Sequence, residues 1–396
     1  MITHLDFELS SICNAGCPVC SRRIYGSFNP FEQTYWKFED IKRVVGVDLV
    51  KQLKFFNVCG NFGDGMGNPD IVKVAEWVKL NNPECEFHIS TNGGIGDTTQ
   101  YKKLAELDVR ITFGIDGYGD KNELYRINAK WDKVYENFKT FSKYKKHTDQ
   151  RFTIQFLLWD QTRDQIEQIV KLAEESNITH LHLLKPFTQH SGYTRGFNMK
   201  GEYTHSLTLT EDPIIDTLNR VWAKEEFSVL KEIIKESKLK THPLVLEPDG
   251  HLLKVLPHKI KNFIPKDPKF NEEELVKINS INKQSCYSFN SKNTDDLTQE
   301  YNNLYITYNG YLMPCCMIPP LYSFKLNHST DDESPYQIEI LNSVTEIGIE
   351  QFSLKNKTIQ EVYNSGVLHK FVYDKFKSNS QFSFCKTTCG KCIPLI

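Results

Sequence analysis

The chain has 396 residues, and its 48 lysines and arginines against 50 aspartates and glutamates give a formal net charge of −2. A composition that is 39% hydrophobic and 25% charged is that of a globular protein and excludes a wholly disordered chain. No run approaches the roughly 20 apolar residues that span a bilayer, and the N-terminus lacks the basic and apolar regions of a signal peptide. We therefore expect a cytoplasmic protein without a membrane segment. Nine of the basic residues are arginines and none follows Arg220, which disfavours nucleic acid as a partner.

Residues 1–185 alternate short apolar segments with amphipathic ones. The apolar segments predict strands at Leu5–Leu9, Leu53–Val58, Glu86–Ser90, Arg110–Ile115, Phe152–Leu158 and Thr179–Leu184. The amphipathic segments predict helices at Lys37–Val50, Ile71–Leu80, Gln100–Glu106, Asp132–Lys145 and Thr162–Glu175. Six successive β–α units favour an α/β fold with a parallel sheet and right-handed crossovers, either open or curled into a partial barrel.

The remaining sequence divides into two further regions. Residues 186–285 are interpreted as a connecting, lid-like segment with a loop at Thr188–Gly196 and a helix over Pro213–Ser237. Residues 286–396 are rich in cysteine, and their clearest secondary structure is a hairpin of Leu304–Tyr308 and Tyr311–Met313 around the Asn309-Gly310 turn.

Eleven cysteines are unusual for a cytoplasmic chain. Nine of them lie in two zones, three near the start of the sequence and six in its last part. Clustered thiols in such a chain indicate metal binding more than disulfides. Directly after the first predicted strand, Cys13, Cys17 and Cys20 have the spacing C-x3-C-x2-C. Three thiolates of one loop can hold three corners of a [4Fe–4S] cluster and leave the fourth iron open. A zinc site is the alternative, and Cys59 and Cys85 are interpreted as ordinary buried cysteines.

This cysteine loop resembles the signature of the radical S-adenosylmethionine (SAM) superfamily, although Val19 stands where an aromatic residue is usual. The resemblance implies a partial (β/α)6 TIM-like barrel that binds SAM, with further motifs at the ends of successive strands. Cys59-Gly-Asn-Phe-Gly-Asp64 is similar to the motif that binds the SAM amino group, with an aspartate in place of glutamate. Ser90-Thr-Asn-Gly93 is similar to the segment that lines the carboxylate and ribose. The implied SAM-binding residues are Gly60, Asn61, Gly63, Asp64, Ser90, Thr91, Asn92, Asp116 and Gln155.

The C-terminal cysteines resemble a second motif of the same superfamily. Gly310-x4-Cys315 and the closing Cys385-x3-Cys389-x2-Cys392 are similar to the SPASM or twitch extension, which holds an auxiliary [4Fe–4S] cluster. Cys286 lies 24 residues before Gly310, farther than the family pattern. We expect one auxiliary cluster bound by Cys286, Cys315, Cys389 and Cys392, with Cys316 and Cys385 as competing ligands and a structural zinc site as the alternative.

The resemblance implies a chain of three regions: a barrel (1–185), a connecting segment (186–285) and an auxiliary-cluster domain (286–396). It also implies reductive cleavage of SAM to a 5′-deoxyadenosyl radical, which abstracts a substrate hydrogen, and an electron donor such as flavodoxin or ferredoxin. The substrate is expected to be a peptide or protein, and the alternatives are a nucleotide or small metabolite, or an electron-transfer protein that has lost SAM cleavage. The candidate substrate-side or catalytic residues are Tyr125, Arg126, Lys185, His190, Tyr193 and Arg195.

Overall fold

A computed structural model describes residues 2–20, 22, 32–186, 192–209, 212–237, 303–314, 343–368 and 370–371. Their central feature is a nine-stranded sheet in which seven neighbouring strands run parallel. With the strands numbered in chain order, their order from one edge of the sheet to the other is β11-β10-β1-β2-β3-β4-β5-β6-β9. The strands are β1 His4–Phe7, β2 Phe55–Val58, β3 Glu86–Thr91, β4 Arg110–Gly114, β5 Phe152–Leu157, β6 His180–Leu184, β9 Val221–Ala223, β10 Asn303–Ile306 and β11 Leu312–Met313; a separate hairpin holds β7 Tyr193–Phe197 and β8 Tyr203–Thr208.

Helices cover one face of this sheet. Along β1, β2 and β3 every second side chain, such as Phe7, Phe56 and Phe87, is fully buried in one core with apolar helix residues. In helix α6, Trp131–Tyr144, the residues Val134, Phe138 and Phe141 recur at the helical period. The ring centroids of Phe138 and of Phe113 on β4 are 5.3 Å apart. The helices are α1 Phe38–Val45, α2 Val47–Gln52, α3 Ile71–Asn81, α4 Thr98–Glu106, α5 Asn122–Tyr125, α6 Trp131–Tyr144, α7 Ile166–Glu175, α8 Pro213–Leu218, α9 Phe227–Ser237 and α10 Ile359–Asn364.

The predicted fold class is confirmed: strands β1 to β6 follow one another in the sheet, with helices between them, and form an open, partial TIM-like barrel. All six predicted strands occur, with boundaries that differ by at most two residues. Their order in space equals their order in sequence because each β–α unit returns the chain to the neighbouring position. No helix in the described ranges is long and apolar enough to cross a membrane.

Three predicted elements were wrong in detail. The helix predicted over 37–50 is two helices, because Gly46 adopts φ +72° and interrupts the turn. The helix predicted over 213–237 is also two helices, and between them β9 pairs antiparallel with the open edge of β6. Part of the predicted loop 188–196 is strand β7, which the backbone of β8 stabilises by antiparallel pairing.

The predicted C-terminal hairpin is confirmed as β10 and β11, which pair antiparallel on either side of Gly310 at φ +95°. Strand β10 also pairs in parallel with β1, and Leu5 lies opposite Leu304. The indole nitrogen of Trp36 donates to the carbonyl oxygen of Thr307 at 3.2 Å. The hairpin therefore extends the barrel sheet on the side of β1, and the division of the chain into three domains remains a prediction.

The face of the sheet opposite the helices carries a polar ladder across five strands. Asp6 on β1 accepts hydrogen bonds from Asn303 on β10 at 3.1 Å and from Asn57 on β2 at 2.7 Å. The ring of His88 on β3 joins Asn57 to Thr112 on β4, at 2.7 and 2.9 Å. These hydrogen bonds lie on the inner face of the open barrel and connect the C-terminal strand to the first four β–α units.

Candidate active site

The cysteine loop follows β1 at the C-terminal end of the parallel strands, the end where barrel enzymes hold their active sites. Its backbone is fixed by two hydrogen bonds with the segment after α5. Gly16 N of the loop donates to Ile127 O at 2.8 Å, and Asn128 Nδ2 donates to Asn14 O of the loop at 2.9 Å. Asn128 adopts φ +70°, a region that asparagine tolerates better than most residues. The loop thus has a defined shape that the tertiary structure imposes.

The thiols of Cys13, Cys17 and Cys20 are free, and those of Cys13 and Cys17 lie in a buried environment. Burial raises the pKa of Cys13 to about 12 and that of Cys17 to about 11. Two guanidinium groups act against burial and lower these pKa values: Arg22 beside Cys13, and Arg126, whose Nη1 lies 3.7 Å from Cys17 Sγ. The loop therefore combines three thiols with two neighbouring positive charges.

The loop after β2, residues 59–67, is rich in glycine and is called the glycine loop. It packs directly on the backbone that leads into the cysteine loop. A side chain at Gly63 would collide with the carbonyl of Ser10, and one at Gly67 would collide with that of Ile12. Asp64 N donates to Ile12 O at 3.0 Å. The glycines at these two positions are thus required by close backbone approach, which brings Asp64 next to the cysteine loop.

Asp64 and Asn92 connect the motifs that follow β1, β2 and β3. Asp64 Oδ2 accepts from Asn92 N and Nδ2, both at 2.8 Å, and Oδ1 accepts from Met66 N at 3.0 Å. Asn92 Nδ2 also lies 3.5 Å from Cys13 Sγ. Burial raises the pKa of Asp64, and the hydrogen bonds from Asn92 act in the opposite direction. A carboxylate has about four acceptor positions, and Met66, Asn92 and the side chain of Thr91 all contribute hydrogen bonds to this one, so the protein itself fixes the orientation of Asp64.

Asp116, after β4, forms a buried ion pair with Arg126 in which Oδ2 accepts from Nε at 2.5 Å. Its Oδ1 accepts from Leu157 N at 2.7 Å. Burial raises the pKa of Asp116, and Arg126 partly offsets that effect. Gly114 leaves space for the guanidinium, because a side chain there would collide with it. The geometry therefore joins the end of β4 to Cys17 through Arg126.

The other residues expected to bind SAM lie at the same edge of the sheet. Thr91 is buried and its Oγ1 accepts from Gly93 N at 3.1 Å, while Ser90 on β3 is half-buried. Asn61 Nδ2 donates to the hydroxyl of Tyr305 on β10 at 2.9 Å. Gln155 is half-buried on β5, and its backbone carbonyl accepts from Ile115 N. Gly60 is exposed and lies against the carbonyl of Gly63. Contact of these residues with SAM remains a prediction.

The candidate substrate-side residues are divided between different surroundings. Tyr125 stacks near Trp159, with ring centroids 5.7 Å apart, and lies beside the Arg126 guanidinium. Lys185 forms an ion pair with Asp216 at 3.3 Å, next to the start of the connecting segment. Tyr193 and Arg195 lie on β7, outside the main sheet, and His190 lies outside the described residues. Of the set, Tyr125 and Arg126 are thus the two that the structure joins to the cysteine loop.

Three residues at or beside this site were not identified from the sequence. Asn14 Oδ1 accepts from Asn92 Nδ2 at 3.0 Å. Arg22 is buried and donates from Nη2 and Nη1 to the carbonyls of Cys13 and Ala15, each at 3.3 Å. Glu8, directly after β1, is buried, and its carboxylate accepts from Phe62 N at 2.9 Å and from Tyr308 N at 3.3 Å. The available signals were proximity to the cysteines for Asn14 and Arg22, and an acid within an apolar strand for Glu8.

The residues of this loop fit an iron–sulfur cluster in donor type and charge. In the described ranges, no three His, Cys, Asp or Glu side chains lie close enough together to hold one metal ion. A single zinc ion needs sulfurs about 2.3 Å from it, whereas a four-iron cluster holds its thiolates around a larger body. The buried Nε of Arg22 has no hydrogen-bond partner within the described part of the chain, as expected beside a site built for an anionic group. The six C-terminal cysteines lie outside the described residues, so the auxiliary cluster remains a prediction.

The radical SAM superfamily profile matches residues 7–173. The match contains the cysteine loop and the motifs described above that follow β2, β3 and β4. It identifies the domain that binds SAM and a [4Fe–4S] cluster in that superfamily. No curated protein matches the chain.

Solved structures of low identity resemble the chain. Streptococcus suis SuiB bound to S-adenosylmethionine is 13% identical, with a TM-score of 0.44, 80% of this chain covered and 60% of SuiB covered. Native anSMEcpe with bound AdoMet and Cp18Cys peptide is 15% identical, with a TM-score of 0.47 and coverages of 99% and 89%. Archaeal TYW1 is 17% identical, with a TM-score of 0.27 and coverages of 34% and 43%. Since every one of these TM-scores is below 0.5, the assignment of the domain rests on the profile match.

Proposed function

We propose that the chain is a radical SAM enzyme, with its radical SAM domain in residues 7–173, and that it modifies a peptide or protein by abstracting a hydrogen atom with a 5′-deoxyadenosyl radical. The observation that supports SAM chemistry most directly is the convergence of the strand-end motifs on the cysteine loop, through Asn92 at Cys13 and Arg126 at Cys17. When bound, the cluster supplies one electron for the reductive cleavage of SAM.

The chain's own residues position and shield the reacting groups. Cys13, Cys17 and Cys20 would hold the cluster, and the segment at 127–128 fixes the backbone of their loop. The buried carboxylate of Asp64 would provide a negative charge beside the SAM ammonium group. Asp116 and Arg126 form the buried wall between the end of β4 and Cys17. Their burial excludes water from the site, which protects a radical intermediate from side reactions.

A peptide or protein substrate is supported by the C-terminal cysteine pattern, which is similar to the SPASM or twitch extension of peptide-modifying enzymes. The low arginine content, with none after Arg220, adds to this by disfavouring a nucleic-acid substrate. The hairpin that leads to Cys315 belongs to the barrel sheet, so the region that would carry the auxiliary cluster begins beside β1.

The test is release of 5′-deoxyadenosine from SAM by the full-length, anaerobically reconstituted protein with dithionite, measured by mass spectrometry. We expect release by the wild type and by Cys389→Ala, and loss of release in Cys17→Ala. No release by an iron-loaded wild type would contradict SAM cleavage and support an electron-transfer protein. Release that a library of peptides does not stimulate, but small metabolites or nucleotides do, would contradict the proposed substrate class.

We also propose that Cys286, Cys315, Cys389 and Cys392 bind one auxiliary [4Fe–4S] cluster. Two such clusters contain about eight irons per chain, and one contains about four. We expect iron analysis to give about eight for the wild type and about four for the double variant Cys389→Ala/Cys392→Ala. About four in both proteins would contradict the auxiliary cluster, and one zinc with four irons in the wild type would show a structural zinc site instead.

A further inference from the structure

The cysteine loop encloses a buried positive charge that the proposed reaction does not yet use. Arg22 follows Cys20 by two residues and is 3% exposed. Its Nη1 donates to Ala15 O and its Nη2 to Cys13 O, both at 3.3 Å, so the guanidinium is fixed against the backbone between the first two cysteines. Among the described residues, its Nε has no hydrogen-bond partner.

Within the described residues, no carboxylate pairs with Arg22. Arg126, the other cation beside the loop, differs in this respect because it pairs with Asp116. An unpaired buried charge is costly, and proteins keep one where an anion compensates it. The guanidinium of Arg22 is hydrogen-bonded to the carbonyls of Cys13 and Ala15, so it lies directly against the cysteine loop. The compensating anion is therefore expected among the thiolates and whatever they bind.

We propose that Arg22 is the buried cation that sets the reduction potential of the cluster held by Cys13, Cys17 and Cys20. The inference rests on the proposed function, because it takes that cluster as present. A four-iron core of charge +2 with three thiolates carries a net charge of −1, and one-electron reduction brings it to −2. A fixed positive charge stabilises the reduced state more than the oxidised state, so it raises the potential. Arg22 would thereby make the electron transfer that precedes SAM cleavage easier.

A purely structural role for Arg22 predicts something different. Two hydrogen bonds to carbonyls shape the loop, and their loss would lower the amount of cluster bound without changing the potential of the clusters that remain. Arg43 is a suitable control because its guanidinium also donates to carbonyls, those of Leu354 and Lys355, and lies on α1 away from the cysteine loop. Removal of that group tests the loss of a similar side chain without loss of charge beside the cluster.

The experiment is a potentiometric titration of full-length, reconstituted protein, followed by the electron paramagnetic resonance signal that SAM perturbs. We expect Arg22→Gln to lower the reduced-to-oxidised ratio at a fixed potential about tenfold, which is about 59 mV for a one-electron couple. We expect Arg22→Lys, which keeps the charge, to stay within about twofold of the wild type, and Arg43→Gln to be unchanged.

An unchanged potential in an iron-loaded Arg22→Gln protein would overturn the inference and leave the proposed function intact. If Arg22→Gln does not bind iron, Arg22→Lys decides: a tenfold fall in that variant would also overturn it, because the charge has been kept. A wild-type protein that binds no iron would contradict the proposed function as well, so the two failures are distinguishable.

Discussion

Arg126 and Asp116 show how two side chains can connect separate motifs in a buried site. Nε of Arg126 pairs with Asp116, Nη1 lies near Cys17, and Gly114 provides the space. Burial acts to lower the pKa of Arg126, and Asp116 together with Cys17 outweighs it, so that its pKa is raised above the ordinary value. Arg126 is thus a cation at this site with a defined counter-charge.

Asp116→Asn should therefore be strongly destabilising. It leaves the Arg126 cation buried without its partner, and the removal of one member of a buried pair costs about 3–5 kcal/mol. The measurement is the free energy of unfolding in urea. Asp164→Asn is the matched control, because its pair with Lys121 is about 40% exposed and should contribute less than about 1 kcal/mol. Equal effects of the two substitutions would contradict the structural role given to Asp116.

Glu8 should give the free energy of unfolding a distinct pH dependence. Burial raises its pKa to about 7 from the ordinary 4.5. The folded state therefore binds a proton that the unfolded state releases between pH 4.5 and 7, so stability falls as pH rises through this interval. The difference between pH 5.5 and pH 8 is about 2 kcal/mol.

The comparison that isolates Glu8 is wild type against Glu8→Gln in urea unfolding at both pH values. We expect the stability of the wild type relative to the variant to be greater at pH 5.5. Glu39→Gln, at an exposed position on α1, should leave the pH dependence of the wild type unchanged. If the free energy of unfolding of the wild type relative to Glu8→Gln instead rises from pH 5.5 to pH 8, Glu8 is ionised in the folded state over this whole range.

At the scale of elements, β10 is a strand of the barrel sheet although nearly 300 residues separate it from β1 in sequence. Backbone pairing joins the two strands, and the Glu8 carboxylate accepts from Phe62 N of the glycine loop and Tyr308 N after β10. Asn61 reaches Tyr305 from the same loop. The C-terminal hairpin therefore supports the loop that carries Asp64.

Leu304→Ala should destabilise the barrel as a whole. Leu304 is completely buried beside β1, and truncation of a buried leucine costs about 2–5 kcal/mol. Leu80→Ala is the control, because Leu80 on α3 is 82% exposed and its truncation should be close to neutral. The check is urea unfolding followed by tryptophan fluorescence, and a small effect of Leu304→Ala would contradict the place of β10 in the cooperative core.

At the scale of the whole molecule, residues near both ends of the sequence share one sheet. Besides β1 and β10, Arg43 on α1 donates to the carbonyls of Leu354 and Lys355, and Asn303 donates to Asp6. Leu304, Ile306, Phe352 and Val362 belong to the same buried core as Leu5 and Phe7. The chain thus closes its N-terminal and C-terminal parts on each other.

Cleavage of the chain should not separate these parts. We expect that a protease site inserted after Lys200, in the exposed turn between β7 and β8, can be cut without dissociation, because the shared sheet and core keep the two fragments together. The fragments should co-elute in size-exclusion chromatography under native conditions and separate in urea. Separation under native conditions would contradict the joint sheet. Leu304→Ala in the cleaved protein should weaken the association, whereas Leu80→Ala should not.

Much of the fold was predictable because its signals are local. The strands β1 to β6 were identified from apolar runs of five to seven residues, and their parallel arrangement follows from the helices between them. The breaks at Gly46 and at β9 were not predicted. The first depends on the positive φ that Gly46 adopts, and the second depends on the free edge of β6, with which Val221–Ala223 pairs.

For the site, the sequence alone determined which residue types stand at the strand ends and that three thiols share one short loop. Covalent spacing and strand order decide those features. The tertiary structure alone decided that Asn92 joins Asp64 to the cysteine loop, that Arg126 connects Asp116 to Cys17, and that β10 lies beside β1. Those contacts join residues from 10 to almost 300 positions apart, and hydrogen bonds and charges act over a few ångströms in space, whatever the separation in sequence.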